Sequence, residues 1–139
     1  MNEIIVGVDR SDTARRAAER AAELAAQTDA ELHIMMCIKR TTAGTAGSGQ
    51  DSWHIDPVSD AENFLRDLAA SLAHDRITTS VQSGDPASAM CHEAERLDAG
   101  MIVVGNRRVQ GVSRVLGSIA GEVLKHAPCD VLIANTTSG

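Results

Sequence analysis

The sequence is almost without aromatic residues: among its 139 residues Trp53 and Phe64 are the only two, and there is no tyrosine. Proteins that bind single-stranded nucleic acid stack bases on aromatic side chains, so this absence argues against such a surface. Basic residues are also outnumbered by acidic ones, 13 to 19, which gives a formal net charge of −6. We therefore expect neither a nucleic acid nor an acidic membrane as a partner.

Cysteine is scarce and long apolar runs are missing. Cys37, Cys91 and Cys129 are odd in number, far apart and embedded in apolar patterns. This arrangement predicts buried, reduced thiols and neither a disulfide framework nor a CxxC metal site. No apolar run approaches the roughly 18 residues of a membrane-spanning helix, and no signal-peptide pattern is present. We expect a soluble, cytoplasmic protein.

Short apolar runs alternate with amphipathic segments along the chain. The predicted strands are 4–8, 32–38, 77–81, 101–104 and 131–134. The predicted helices are 12–27 after an N-cap at Ser11, 57–73, a segment from Pro86 with Asp85 as N-cap, and 119–126. Such β-α alternation predicts a single α/β domain over 1–139, with an open, five-stranded parallel sheet and helices on both faces. The small residues of 40–56 predict a mobile loop.

The most informative stretch is the glycine-rich segment 105–118, which follows a predicted strand and precedes a predicted helix. It has no acidic residue and three arginines, so it is locally cationic in an acidic chain. A strand that leads through a glycine-rich loop to a helix N-terminus is a common cradle for phosphate. The spacing of Gly105, Gly111 and Gly117 matches neither a P-loop nor a dinucleotide fingerprint. A simple flexible loop therefore remains an alternative.

The expected topology places another candidate residue next to this loop. In doubly wound sheets, ligands bind beyond the carboxyl ends of the strands, where the winding direction reverses. If strands 4–8 and 101–104 flank that point, Asp9 and Gly105 lie side by side. The sequence then predicts one site made of a carboxylate and a cationic glycine loop.

Five motifs in a fixed order, spread over nearly the whole chain, carry a family resemblance. They are Val6-Gly7-Val8-Asp9 with Ser11, Gly84-Asp85-Pro86-Ala87, Val103-Val104-Gly105-Asn106-Arg107, Leu116-Gly117-Ser118 and Ala127-Pro128-Cys129-Asp130-Val131-Leu132-Ile133. Together they resemble the universal stress protein family. The resemblance implies a Rossmann-like sheet of order 3-2-1-4-5, dimerisation and a role in stress response.

The family contains members that bind ATP, a few that bind cyclic AMP, and members that bind no nucleotide. By resemblance, Gly105 matches the first glycine of the ATP-binding loop, and Gly117 and Ser118 match its last pair. Asp9 matches the acidic residue that holds the adenosine end. Cys37 falls where a residue after the second strand meets adenine through its backbone.

The position of the second motif glycine holds Arg108, and the spacing to Gly117 is one residue shorter than the usual form. Glycine there allows a positive φ, whereas arginine in that conformation loses roughly 1 kcal/mol. A guanidinium is, however, a strong donor to phosphate. We therefore include Arg107 and Arg108 among the candidate nucleotide-binding residues, with Mg²⁺ as a companion of ATP.

Three functions remain open at this point: a nucleotide-binding stress regulator or sensor, a nucleotide-free protein-interaction module, and a slow ATPase. No candidate general base or pair of metal-binding carboxylates accompanies the loop, and we expect the five scattered histidines to be non-catalytic. The order 3-2-1-4-5 would also place the apolar strand Val131–Ala134 at a sheet edge. Because soluble proteins seldom leave such an edge bare, we expect a homodimer through this strand.

Overall fold

A computed structural model of the chain describes residues 2–39, 57–106 and 117–136. The strands are β1 (Glu3–Val8), β2 (Glu31–Ile38), β3 (Ile77–Ser83), β4 (Met101–Asn106) and β5 (Asp130–Asn135). The helices are α1 (Asp12–Thr28), α2 (Pro57–Ser71), α3 (Pro86–Leu97) and α4 (Ser118–His126). The loop predicted over 40–56 lies outside the described residues.

The strands form one parallel sheet of order β3-β2-β1-β4-β5, as predicted. Strand β1 lies at the centre, with Ile4 opposite Leu32 of β2 on one side and Met101 of β4 on the other. Strands β3 and β5 are the two edges. The chain therefore winds outward from β1 in one direction through β2 and β3, and then in the other through β4 and β5.

The residues of β1 alternate between two apolar layers, which is why the whole strand is buried. Ile4, Val6 and Val8 belong to a cluster with the alanines of α1 and the leucines of α2. Ile5 belongs to a second cluster with Met90 of α3 and residues of α4. Helices α1 and α2 thus cover one face of the sheet and α3 and α4 cover the other.

Alanines allow α1 to lie close to the sheet. The buried side of this helix consists of Ala14, Ala17, Ala18, Ala21, Ala22 and Ala25. Ser11 is the N-cap, as predicted, and its hydroxyl accepts the Ala14 N–H at 3.1 Å. The close approach of α1 determines the geometry at the carboxyl ends of β1 and β4, where its N-terminus begins.

Candidate functional site

A cleft of about 350 Å³ opens at the carboxyl edge of the sheet, where the winding reverses between β1 and β4. The ends of β1, β2 and β4 form its floor, and the N-terminal turns of α1, α3 and α4 form its walls. Its volume lies within the roughly 300–1,000 Å³ that is usual for small-molecule sites. The reversal point is the expected position for a ligand in a sheet of this class.

Five of the seven residues that the sequence nominates line this cleft: Asp9, Cys37, Gly105, Gly117 and Ser118. They come from four separate parts of the chain, the ends of β1, β2 and β4 and the start of α4. Arg107 and Arg108 lie outside the described residues. The fold therefore brings together every nominated residue that it describes.

Asp9 is exposed at the mouth of the cleft, immediately after β1. Its Oδ1 atom accepts the backbone N–H of Ser11 at 2.8 Å. This bond makes Asp9 a turn residue that orients its own carboxylate. Within the described part of the chain, Oδ2 has no hydrogen-bond partner, so Asp9 can fill the turn role and still accept from a ligand.

Cys37 lies within β2, opposite Gln82 of β3, and not after the strand. The next carbonyl, that of Ile38, accepts the Gly84 N–H at 3.3 Å on the β3 side. Successive residues of a strand direct their backbone groups to opposite sides, so the Cys37 carbonyl faces the β1 side. Strand β1 ends at Val8, opposite Met36, and therefore has no strand residue opposite Cys37. The Cys37 carbonyl is a backbone acceptor in the floor of the cleft.

The Cys37 thiol is unreactive. Burial, and to a lesser degree the nearby Asp85 carboxylate, raise the pKa of this thiol. The thiol therefore stays protonated at neutral pH and is a poor nucleophile. Contrary to the sequence prediction, all three cysteines are only partly buried.

Gly105 lies inside β4 and pairs with Ala134, whereas the sequence placed it as the first residue of the loop. A Cβ atom at this position would lie 3.0 Å from the Thr13 Cγ2 atom and 3.4 Å from that of Thr136. The missing side chain lets the first turn of α1 pack against the ends of β4 and β5. Helix packing therefore accounts for this glycine without any phosphate.

The N-terminus of α4 differs from those of α1 and α3. Helix α4 begins at Ser118, and its N-cap is Gly117, which offers no side-chain acceptor. The apolar pattern predicted a helix over 119–126, so the observed helix starts one residue earlier than predicted. Helices α1 and α3 are capped by Ser11 and Asp85. Within the described residues, no side chain accepts from the first turn of α4, so its N–H groups can meet an anion.

The floor of the cleft includes two methionines that were not predicted from the sequence as site residues. Met35 and Met90 both line it, and a Cβ atom at Gly7 would overlap the Met90 sulfur. Gly7 thus allows the Met90 thioether to lie directly on β1. A glycine inside an apolar strand is the signal that could have indicated this close approach. Polarizable thioethers can pack against a flat ring where a chain has few aromatic residues.

A buried polar network lies away from the cleft, between β2, β3 and α3. His33 Nδ1 and Nε2 form hydrogen bonds with Thr78 Oγ1 at 2.7 Å and Ser80 Oγ at 2.9 Å. Its Nε2 lies 3.5 Å from Glu93 Oε2, and Glu93 is only 3 % exposed. Arg96 donates two hydrogen bonds to the same carboxylate, at 3.0 and 2.6 Å. The contact between His33 and Glu93 was not predicted from the sequence, because the two residues are far apart in the chain.

Within residues 2–39, 57–106 and 117–136, no group of three His, Cys, Asp or Glu residues could hold a metal ion. Over the same ranges, none of the helices has both the length and the apolar character needed to cross a bilayer.

Comparison with known proteins agrees with this geometry. The family model of the universal stress protein family matches residues 1–135. The chain belongs to the universal stress protein family. A universal stress protein of Staphylococcus aureus strain USA300 is 29 % identical over 140 residues, which cover 96 % of this chain and 83 % of the relative.

Two solved structures show the same fold. A universal stress protein in complex with cAMP is 27 % identical, with a TM-score of 0.72 over 98 % of both chains. The Archaeoglobus fulgidus universal stress protein in complex with dAMP is 23 % identical, with a TM-score of 0.61 over 96 % of this chain and 97 % of that one. The second likeness concerns the fold alone.

Proposed function

We propose that this universal stress protein domain binds an adenine nucleotide, with ATP as the first candidate, and acts as a stress-response sensor or regulator. The observation that carries the proposal is the convergence of Asp9, Cys37, Gly105, Gly117 and Ser118 on one cleft at the winding reversal. A relative of the same fold that is 27 % identical was solved with cAMP. This supports an adenine nucleotide as the ligand class.

The cleft offers a distinct group to each part of such a ligand. Its apolar floor, with the thioethers of Met35 and Met90, suits the adenine ring, and the Cys37 carbonyl can accept from the adenine edge. The Asp9 carboxylate stands at the mouth, where it would hold the ribose end of the adenosine. The uncapped first turn of α4 would receive the phosphates. Mg²⁺ would enter with ATP, bound to its phosphates, and neutralise part of their charge.

Calorimetry with ATP, ADP and cyclic AMP tests the proposal, together with mass spectrometry of any nucleotide that copurifies. Asp9→Asn keeps an oxygen for the Ser11 turn but removes the charge, so we expect about tenfold weaker binding. Asp67→Asn is the matched control, because this exposed α2 residue does not line the cleft. An Asp9→Asn protein that binds like the parent would contradict the assigned role.

Arg108 bears on whether the domain binds ATP or belongs to the nucleotide-free members of the family. If its side chain fills the phosphate cradle, Arg108→Gly should bind ATP more tightly than the parent; if it donates to phosphate, the variant should bind more weakly. Absence of binding in both proteins at millimolar nucleotide would leave the nucleotide-free interaction module. Hydrolysis, if measured, should be slow, because the described cleft residues include no histidine to act as a base.

We further propose a cytoplasmic homodimer that pairs through β5. Strand β5 is one edge of the sheet. Three of its apolar residues are only partly buried in the single chain: Val131, Leu132 and Ile133. Among the described residues, no strand pairs with the outer side of β5, and an apolar edge of this kind is a template for pairing with a second copy.

A further inference from the structure

The three residues that join β1 to α1 are each held by a different contact. Asp9 accepts from the Ser11 N–H, and Ser11 caps α1. In the described part of the chain, Arg10 is the one of the three that contacts another element. Its Nη2 atom donates to Asp60 Oδ2 of α2 at 3.0 Å, and its guanidinium carbon lies 4.8 Å from the centre of the Phe64 ring.

Both groups that hold Arg10 lie on one side of α2. Asp60 and Phe64 are four residues apart, so they are neighbours on the helix surface. Phe64 is partly buried and packs against the apolar cluster beneath α1 and α2. It therefore gives the guanidinium a fixed aromatic face, and Asp60 gives it an anion. Arg10 does not belong to the described lining of the cleft.

We propose that Arg10 is a positioning residue of the nucleotide site, because its hold on α2 keeps the Asp9 carboxylate at the mouth of the cleft. This inference rests on the proposed function. It makes α2 a second element coupled to the ligand, although none of its described residues lines the cleft. Since coupling is reciprocal, nucleotide binding should in turn strengthen the contacts of Arg10 with Asp60 and Phe64.

The binding test compares Arg10→Ala, Asp60→Asn and Phe64→Leu by calorimetry with ATP. We expect roughly two- to tenfold weaker binding for each, the size of effect that exposed ion pairs and cation–π contacts produce. The double variant Arg10→Ala/Phe64→Leu should bind no more weakly than Arg10→Ala, and Arg10→Lys should restore part of the affinity. The control is Arg15→Ala, because Arg15 reaches Ser71 at the other end of α2 at 3.4 Å.

Two binding results would overturn the proposal. One is unchanged affinity for Arg10→Ala in a parent protein that binds ATP. The other is a loss beyond about a hundredfold in Arg10→Ala while Asp60→Asn and Phe64→Leu bind normally, because Arg10 would then touch the nucleotide itself.

A second measurement needs no nucleotide and separates this proposal from the function on which it rests. Amide hydrogen exchange of Ser11, whose N–H is bonded to Asp9, should be several-fold faster in ligand-free Arg10→Ala and unchanged in Arg15→Ala. If the parent binds no nucleotide at millimolar concentration, the proposed function fails, and this exchange rate alone decides whether Arg10 orders the turn. Equal exchange in the parent and Arg10→Ala would overturn that role.

Discussion

At the scale of single residues, the least expected feature is the histidine inside an apolar strand. His33 is 6 % exposed, and both of its ring nitrogens have partners. Burial lowers its pKa from the usual value near 6.5, while Glu93 acts in the opposite direction and Arg96 acts with burial. The neutral ring is therefore favoured in the folded protein.

This shift predicts a pH dependence of stability. Below pH 6.5 the unfolded chain binds a proton at His33 that the folded protein resists, so the free energy of unfolding should fall as the pH drops through this range. The slope is limited to about 1.4 kcal/mol per pH unit for one group. His33→Gln, measured by urea denaturation from pH 7.5 to 5.5, should show a flatter profile than the parent.

The comparison with His33→Gln also separates this effect from other titrations. The pKa of Glu3 is raised, mainly by burial and then by the adjacent Glu31. Protonation of Glu3 therefore raises the free energy of unfolding as the pH falls, opposite to the effect of His33, and it does so equally in the parent and in His33→Gln. His126→Gln is the control, because the His126 side chain is 67 % exposed. Parallel profiles for the parent and His33→Gln would show that His33 does not cause the loss of stability.

At the scale of elements, the start of α4 combines two opposing requirements. A side-chain cap at Gly117 would stabilise the helix, but it would also occupy N–H groups that an anionic ligand needs. Among the described residues, no atom would lie within 4 Å of a Cβ atom at Gly117, and its φ of −65° is ordinary, so neither crowding by these residues nor backbone conformation explains the glycine. The absence of a cap is therefore consistent with a phosphate site.

Gly117→Ser should accordingly make the protein more stable and a weaker binder. The new hydroxyl can accept from the first turn of α4, which should add a few tenths of a kcal/mol to the free energy of unfolding. ATP affinity should fall several-fold, because the phosphates then compete with the cap. Gly121→Ala is the control: it stabilises α4 by up to about 1 kcal/mol and leaves the free N–H groups before it unchanged, because the Gly121 N–H is already bonded to the Gly117 carbonyl. Equal affinity in Gly117→Ser would argue against phosphate binding at this terminus.

Much of this element-level structure could be predicted from sequence, because it depends on local patterns. Over the residues that the structure describes, the apolar periods located each strand and helix, and the caps at Ser11 and Asp85 were recognised from their positions. The start of α4 was predicted one residue late, at 119, because Gly117 caps the helix without a side-chain bond and leaves no local signal. The contact of Arg10 with Phe64 joins residues 54 positions apart, so only the packing of α2 against α1 could reveal it.

At the scale of the whole molecule, the parallel sheet followed from the β-α alternation, whereas the strand order 3-2-1-4-5 was implied by the family resemblance, and both agree with the structure. The cleft lies at the winding reversal of that order, where a ligand is expected. The network around His33 did not follow from the alternation, because three elements must pack before Glu93 reaches the strand. The two sheet edges also differ: β3 exposes Thr78 and Thr79, whereas β5 carries Val131 and Ile133. That asymmetry favours β5 for pairing between subunits.

The proposed dimer predicts that Val131→Lys shifts the protein to a monomer. In a two-fold interface each substitution occurs twice, so like charges would oppose each other and weaken association by about tenfold or more. Analytical ultracentrifugation at micromolar concentration measures the shift, and circular dichroism checks that the fold persists. Thr79→Lys, on the other edge strand, is the control and should leave the mass unchanged. A parent protein that sediments at 14.7 kDa would refute the dimer.

The central position of β1 has a consequence for synthesis on the ribosome. Its two neighbours, β2 and β4, begin at Glu31 and Met101, so one flank of β1 can pair early while the other waits for a much later part of the chain. At roughly 5–20 residues per second, the nascent β1–α1–β2 unit keeps an open, apolar strand edge for several seconds. A chaperone that shields this edge would therefore raise the yield of folded protein during translation, and slowing translation between β2 and β4 would lower it.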